Sequence, residues 1–298
     1  MSSICVIGAG KWGQALHYAL NTKQKCLITS RTKKEIKNFV TLEVALQCDY
    51  LIIAIPSKSI RQWLKDNFKY TNPKQKILVA AKGIEATTGA FLQEIYEEFI
   101  PQKNLGFISG PSFASEVIKG LPTALVINAT SKTFYDEFYI FFPSFIKTYY
   151  SSDVIGAEIA GAYKNVLAIA SGICEGLNLG QNARASLTSR GLVEMNRFGE
   201  FYGAKKDTFL GLSGAGDLFL TASSTLSRNF RVGLGLANKK TLDEILQELG
   251  EVAEGVMTAQ AIYKLSEKNN IYTPIANEVK FILDGKKPQE SLKDLLSS

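Results

Sequence analysis

Apolar positions in the first half of the chain come in short unbroken runs, whereas in the second half they recur at spacings of three and four. The first run, Ile4-Cys5-Val6-Ile7, breaks into Gly8-Ala9-Gly10-Lys11-Trp12-Gly13 and resumes at helical spacing through Ala15 and Leu16. That order predicts a strand, a tight turn and a helix. Residues 26–30, 50–56, 77–81, 105–109, 123–128 and 146–150 form further strand-like runs. The run over 50–56, bounded by Asp49 and Pro56, suits a strand covered on both faces. Helical stretches, such as 57–68, alternate with most of the runs, so the pattern predicts a doubly wound, mostly parallel sheet. From about Asp153 strand-like runs become scarce, and Ile155, Ile159, Ala162, Val166, Ile169 and Ile173 follow one another at helical spacing. The expected fold class is therefore α/β plus all-α, with an N-terminal domain over 1–152 and an all-helical domain over 153–298.

Three glycines give the first turn a chemical meaning. Gly8 lets the chain turn sharply, Gly10 leaves room for a pyrophosphate to approach the backbone, and Gly13 lets the helix pack close to its strand. The free N–H groups and positive dipole end of that helix would then face phosphates. Following a strand and opening a helix, the motif predicts a Rossmann-like dinucleotide site in 1–152. At the end of the second run stand Arg31, Thr32, Lys33 and Lys34, with no carboxylate before Glu35. An acidic residue here would bind a ribose 2′-hydroxyl and an arginine can accept a 2′-phosphate. The segment is either a solvated basic turn or a site that leans toward NADP(H) over NAD(H). Ligands of such sheets lie beyond the carboxyl ends of the strands, where Gly8, Lys82 and Gly110 fall.

Composition narrows the class. At 298 residues the chain exceeds what one hydrophobic core usually serves. Hydrophobic residues make up 46% and charged residues 21%, ordinary for a globular protein. No apolar run approaches the roughly 20 residues that span a bilayer, and no basic segment precedes the first apolar run, so neither membrane insertion nor a signal peptide is expected. Cys5, Cys26, Cys48 and Cys174 lack CxxC spacing and read as buried free thiols of a cytoplasmic protein. A net charge of +6 suits anionic small molecules and is too scattered for nucleic acid. No metal-ligand cluster is evident. The sequence leaves the oligomeric state open, a homodimer included.

The chain has a single histidine, His17, which sits on the first helix and reads as structural, so proton transfer must come from another residue type. Lys164 stands out. A lysine in mid-helix usually snorkels to the surface, but its neighbours Ala162, Tyr163, Asn165 and Val166 carry no charge, and burial would make it easier to deprotonate. Two other stretches are chemically loaded. Residues 211–221 place Asp217 on a glycine-rich turn with Thr221 one helical turn later; residues 223–231 cluster Ser227, Arg228, Asn229 and Arg231 without an acid. The second is either a phosphate site, with arginine as the bidentate fork, or a polar loop capping a helix.

Taken in order, GAGKWGQAL, AAKGIE, SGPSFA, GAYKNVLAIASGI, GLSGAGDLFLT, SRNFRVG and EVAEGV resemble the NAD(P)-dependent glycerol-3-phosphate dehydrogenase family in its bacterial form, from Ile4 to about Ala261. The resemblance implies reversible reduction of dihydroxyacetone phosphate to sn-glycerol 3-phosphate, the backbone of phospholipids. It makes Lys164 the proton donor and acceptor, with Lys82, Asp217 and Thr221 beside it. It implies substrate binding by Lys82, Gly110, Ser112, Lys164, Asp217, Ser227, Arg228 and Asn229. The cofactor, NADP(H) or NAD(H), would contact Trp12, Arg31, Lys82, Ala114, Arg228, Val252 and Glu254 besides the glycine loop. Lys11 and Ala81 depart from the pattern, which more often has a small or polar residue and a Thr or Ser there; Lys11 could alter phosphate affinity. Two readings compete. One is another two-domain dehydrogenase, of 6-phosphogluconate or ketopantoate type, and the other is a cofactor-sensing protein without turnover.

Overall fold

The structure, a computed structural model, describes residues 3–69, 72–250 and 252–297. Glu251, the first residue of the EVAEGV motif, lies outside them. The chain divides into two compact units, Met1–Lys82 with Leu92–Val154, and Gly83–Phe91 with Ile155–Ser298.

The first unit is a seven-stranded sheet of β1 (Ile4–Ile7), β2 (Leu27–Thr29), β3 (Tyr50–Ile53), β4 (Lys76–Val79), β5 (Leu105–Ser109), β6 (Thr123–Asn128) and β7 (Ile146–Ser151), in the order β2-β1-β3-β4-β5-β6-β7. All four residues of β1 and all five of β5 are buried, as strands covered on both faces require. On one side Ala15, Leu16, Ala19 and Leu20 of the Lys11–Asn21 helix share a core with Phe134 and Phe138. The pairing of 50–56 stops at Ile53, three residues before Pro56, although Ala54 still donates its N–H to the Ile7 carbonyl at 2.8 Å. The predicted helix over 57–68 opens as a 3-10 turn, Ser57–Ser59, before the α-helix Ile60–Asn67.

β1 to β5 run parallel, while β6 pairs antiparallel with β5 and parallel with β7. The link from β5 to β6 holds only the short helix Ala114–Val117, too little to cover a full crossover back along the sheet, so the chain returns in the opposite direction. β7 ends the sheet and alternates buried Ile146 and Thr148 with exposed Lys147 and Tyr149, as an edge strand does.

The second unit is organised around the helix Val154–Gly176, buried continuously from Gly156 to Cys174, as an element that is apolar all round must be. The helix Arg228–Ala237 crosses it at backbone distance. A Cβ added at Gly172 would fall 2.0 Å from the Phe230 carbonyl oxygen, and one at Gly233 would fall 2.0 Å from that of Ile169. Residues 83–91 belong to this unit although strands of the first unit flank them in sequence. Ile84 and Phe91 pair as an antiparallel bridge and enter the helical core, with the Phe91 ring 5.0 Å from that of Tyr202.

Candidate active site

Each unit carries its own set of chemically loaded residues. In the first they gather at the carboxyl ends of the parallel strands. Gly8 follows β1 with φ +110, a left-handed conformation that favours glycine, and a Cβ there would lie 2.4 Å from the Ala54 carbonyl oxygen. Gly13 is equally constrained, since its Cβ would fall 1.8 Å from the Gly8 carbonyl oxygen. At Gly10, the N-cap of the Lys11–Asn21 helix, an added Cβ would meet nothing within 4 Å. The loop is thus closed on the protein side at Gly8 and Gly13 and open at Gly10. That is the shape a pyrophosphate needs, and the group fits these residues.

Trp12 and Ala114 both pack, half-buried, on the core beneath this loop. Gly8 donates its N–H to the Thr29 carbonyl at 2.8 Å, which ties the loop to the end of β2, where Arg31 is exposed. Lys82, half-buried, follows β4. Gly110, at φ +109, turns the chain after β5, and the Ser112 hydroxyl donates to the Gly110 carbonyl at 3.2 Å. His17 is buried within 3.1 Å of the Cys26 carbonyl, and burial lowers its pKa from the ordinary histidine value. All four cysteines are buried and free.

In the second unit the fold joins residues that stand far apart in the chain. Lys164 does not snorkel. It is 7% exposed, its ammonium donates to Asp217 Oδ1 at 2.6 Å and to the Thr221 hydroxyl at 2.9 Å, and the Thr221 hydroxyl in turn donates a hydrogen bond to the Asp217 main-chain carbonyl at 2.6 Å. The glycine-rich stretch before Asp217 is a π-helical turn, Leu212–Gly216, rather than a simple turn. It leads into the helix Asp217–Ala222 and so puts Asp217 and Thr221 on one face. Two opposite charges this deeply buried hold each other, because each alone would face a large desolvation penalty.

Beside this pair runs a chain of amides that the sequence reading missed. The Gly255 N–H donates to Asn229 Oδ1 at 3.0 Å, and Asn229 Nδ2 donates to Asn165 Oδ1 at 2.9 Å. It ties together the helices that carry Lys164, Arg228 and Glu254. Asn165 is next to Lys164 in an otherwise apolar run, and that was the one signal available. The 223–231 cluster is in part a helix cap: the Ser227 hydroxyl accepts the Phe230 N–H at 3.3 Å, Arg228 opens the helix at the surface, and Asn229 is buried in the amide chain. Glu254 opens the helix Glu254–Asn269, and Val252 stands at the surface before it.

Behind Lys164, the Tyr163 hydroxyl donates to Glu194 Oε1 at 2.8 Å, and the Glu194 carboxylate accepts the N–H groups of Ile275 and Ala276 at 2.8 and 2.9 Å. Burial pushes both the Glu194 carboxyl and the Tyr163 hydroxyl up from their ordinary values. Their role is to fix the start of the helix Pro274–Leu283 against the Lys164 helix.

Among the described residues no helix is long and apolar enough to cross a membrane, and no cluster of His, Cys, Asp and Glu could hold a metal.

Residues 21–135 match the N-terminal pattern of the NAD-dependent glycerol-3-phosphate dehydrogenases, and residues 153–294 match their C-terminal pattern. A glycerol-3-phosphate dehydrogenase (NAD(P)+) of Sulfurimonas denitrificans is 61% identical over 298 residues, 100% of both chains. One of Campylobacter lari is 60% identical over 99% of this chain and 98% of its own. The crystal structure of glycerol-3-phosphate dehydrogenase from Coxiella burnetii superposes with a TM-score of 0.92 at 32% identity, covering 100% of this chain and 99% of that one. The match over 153–294 decides against the 6-phosphogluconate and ketopantoate readings, which only the second half distinguishes. With both domain patterns matched and a relative this similar along its whole length, the chain belongs to the NAD-dependent glycerol-3-phosphate dehydrogenase family, oxidoreductases that act on a CH–OH group with NAD or NADP.

Proposed function

We propose that in the reversible reduction of dihydroxyacetone phosphate to sn-glycerol 3-phosphate, which supplies glycerophospholipid synthesis, Lys164 is the group that gives and takes the proton. The nicotinamide supplies the hydride when bound. Everything else falls to this chain. As negative charge develops on the substrate oxygen, the Lys164 ammonium donates its proton there and becomes a neutral amine; in the reverse direction the amine takes the proton back. Asp217 and Thr221 hold that ammonium in place, and in a dry setting such fixed partners act without reorganising. The buried Lys164–Asp217–Thr221 arrangement is the observation that carries this reading.

The remaining assignments follow the two units. In the dinucleotide domain, taken as 1–152, Gly8, Gly10, Trp12, Gly13, Arg31, Lys82 and Ala114 serve the cofactor, and Lys82, Gly110 and Ser112 serve the substrate. In the helical domain, taken as 153–298, Arg228, Val252 and Glu254 serve the cofactor. There Ser227, Arg228 and Asn229 recognise the phosphorylated triose, with Arg228 as the fork on its dianion. Arg31, with no acid beside it, favours NADP(H). The protein works in the cytoplasm as a homodimer; the apolar side chains Val193, Phe201, Leu210 and Phe219, exposed on the helical unit, support pairing, and light scattering reads it.

The test is to mix the purified protein with dihydroxyacetone phosphate and NADPH or NADH and follow the loss of nicotinamide absorbance. Turnover with NADPH at least as fast as with NADH is expected, and unphosphorylated dihydroxyacetone should react poorly. Cofactor binding without turnover would return the sensing-protein reading.

A further inference from the structure

The end of β2 carries a second cation whose position the sequence did not reveal. Thr29, the last residue of β2, is in register with Ile7, so the chain leaves β2 beside the glycine loop. The Ser30 hydroxyl donates to the Thr32 carbonyl at 2.7 Å, and the chain then folds back along the outer side of β2. There the Ile28 N–H donates to Asn38 O at 3.1 Å and the Val40 N–H to Ile28 O at 2.9 Å. Ile36 and Phe39 pack on the core of the unit. Residues 30–40 are thus anchored at both ends. From this loop Lys34 reaches across and donates to the carbonyl of Ala9, between Gly8 and Gly10, at 2.6 Å. The same carbonyl accepts Gln14 Nε2 at 2.9 Å, so it keeps a partner if the lysine leaves.

We propose that Lys34 is the second cation of a 2′-phosphate site, acting with Arg31 to make this chain select NADP(H) over NAD(H). The assignment rests on the reading that NADP(H) is favoured. In dinucleotide folds the adenosine ribose lies between the glycine loop and the end of the second strand, the two pieces of chain that Lys34 bridges. Lys34 is an exposed residue whose part-buried bond goes to a neutral carbonyl, and a phosphate dianion is the stronger acceptor, so it can take the ammonium from Ala9. A 2′-hydroxyl offers no charge to compete for it. Arg31 then supplies the planar fork and Lys34 a mobile point charge.

The test is calorimetric titration with NADPH, NADH, adenosine 2′,5′-bisphosphate and adenosine 5′-monophosphate, on wild type, Lys34→Met, Lys34→Arg and Arg31→Met. Lys34→Met should raise the Kd of NADPH and of the bisphosphate about tenfold, the scale of one hydrogen bond to a charged group, and leave NADH and the monophosphate within about twofold. Lys34→Arg should keep most of the selectivity. Equal weakening of NADPH and NADH would make Lys34 a staple of the loop and overturn the assignment, as would no change in either. If wild type prefers NADPH and only Arg31→Met abolishes the preference, Lys34 fails while the NADP(H) reading stands. If wild type shows no preference, the NADP(H) reading itself has failed.

Discussion

The glycine loop of the first unit and the Lys164 centre of the second solve opposite problems. The loop is built from what is missing: no Cβ at Gly8 or Gly13, where backbone meets backbone, and open space at Gly10. The Lys164 centre is built from groups that would be costly alone, an ammonium and a carboxylate buried together at 2.6 Å. One site accepts a charged ligand by leaving room for it. The other stores charge and keeps it in check. Variants should therefore fail differently in the two places: in the first through sterics, in the second through uncompensated charge.

The largest expected effect comes from splitting the ion pair. Lys164→Met leaves the Asp217 carboxylate, 1% exposed, without its cation, and Asp217→Leu strands the ammonium. Each should lower unfolding stability by about 3–5 kcal/mol, while the double variant Lys164→Met/Asp217→Leu should recover most of the loss. Urea unfolding of the four proteins measures this. Additive losses in the double variant would mean that the two charges do not depend on each other.

Arg228→Ala comes next. A hydrogen bond to a charged group contributes about 1.5–3 kcal/mol, so kcat/KM for dihydroxyacetone phosphate should fall roughly 10–100-fold. The fall should appear in kcat as well as KM if the phosphate also positions the reacting carbon. With NADPH saturating, activity with unphosphorylated dihydroxyacetone should fall far less, since only the cofactor contact of Arg228 is lost there. An equal fall for both substrates would leave Arg228 the cofactor role alone and remove it from phosphate recognition.

The first unit sharpens the contrast through two substitutions of the same size. At Gly13 a methyl group meets a backbone oxygen, so Gly13→Ala should cost about 1–3 kcal/mol of stability and weaken cofactor binding with it. At Gly10 the methyl meets nothing, so stability should stay within about 0.5 kcal/mol while the cofactor Kd rises on the order of tenfold. Thermal unfolding alongside fluorescence titration separates the two outcomes.

The smallest effect concerns His17. Burial disfavours its charged form, so the unfolded chain takes up the proton at higher pH than the folded one. Stability from this group is complete above the ordinary histidine value and falls as pH drops through it toward the lower folded value. As the chain has one histidine, a single proton resonance followed through a pH titration reads it directly.

Legibility followed the same division. The glycine loop was readable because strand, turn and helix occupy consecutive residues and each glycine answers a local steric need. The burial of Lys164 was suggested by its apolar neighbours, but its bonds to Asp217 and Thr221 span more than fifty positions and only the fold makes them. The amide chain from Gly255 through Asn229 to Asn165 was hidden because single amides in a helix look like surface residues. Lys34 was hidden too, since a cation in a basic turn gives no sign of where its side chain reaches. The antiparallel β5–β6 pairing and the membership of residues 83–91 in the helical unit depend on chain paths that periodicity does not encode.

The most direct test of the central claim is a single-turnover measurement on the Lys164→Met/Asp217→Leu variant, chosen because its fold should survive. The variant is saturated with NADPH, mixed rapidly with dihydroxyacetone phosphate, and followed by nicotinamide absorbance beside wild type. The account predicts unchanged cofactor affinity and hydride transfer slowed by at least about 100-fold, the lower range for loss of a general acid. Transfer within about threefold of wild type, well short of that range, would contradict it and move the proton donor to Lys82.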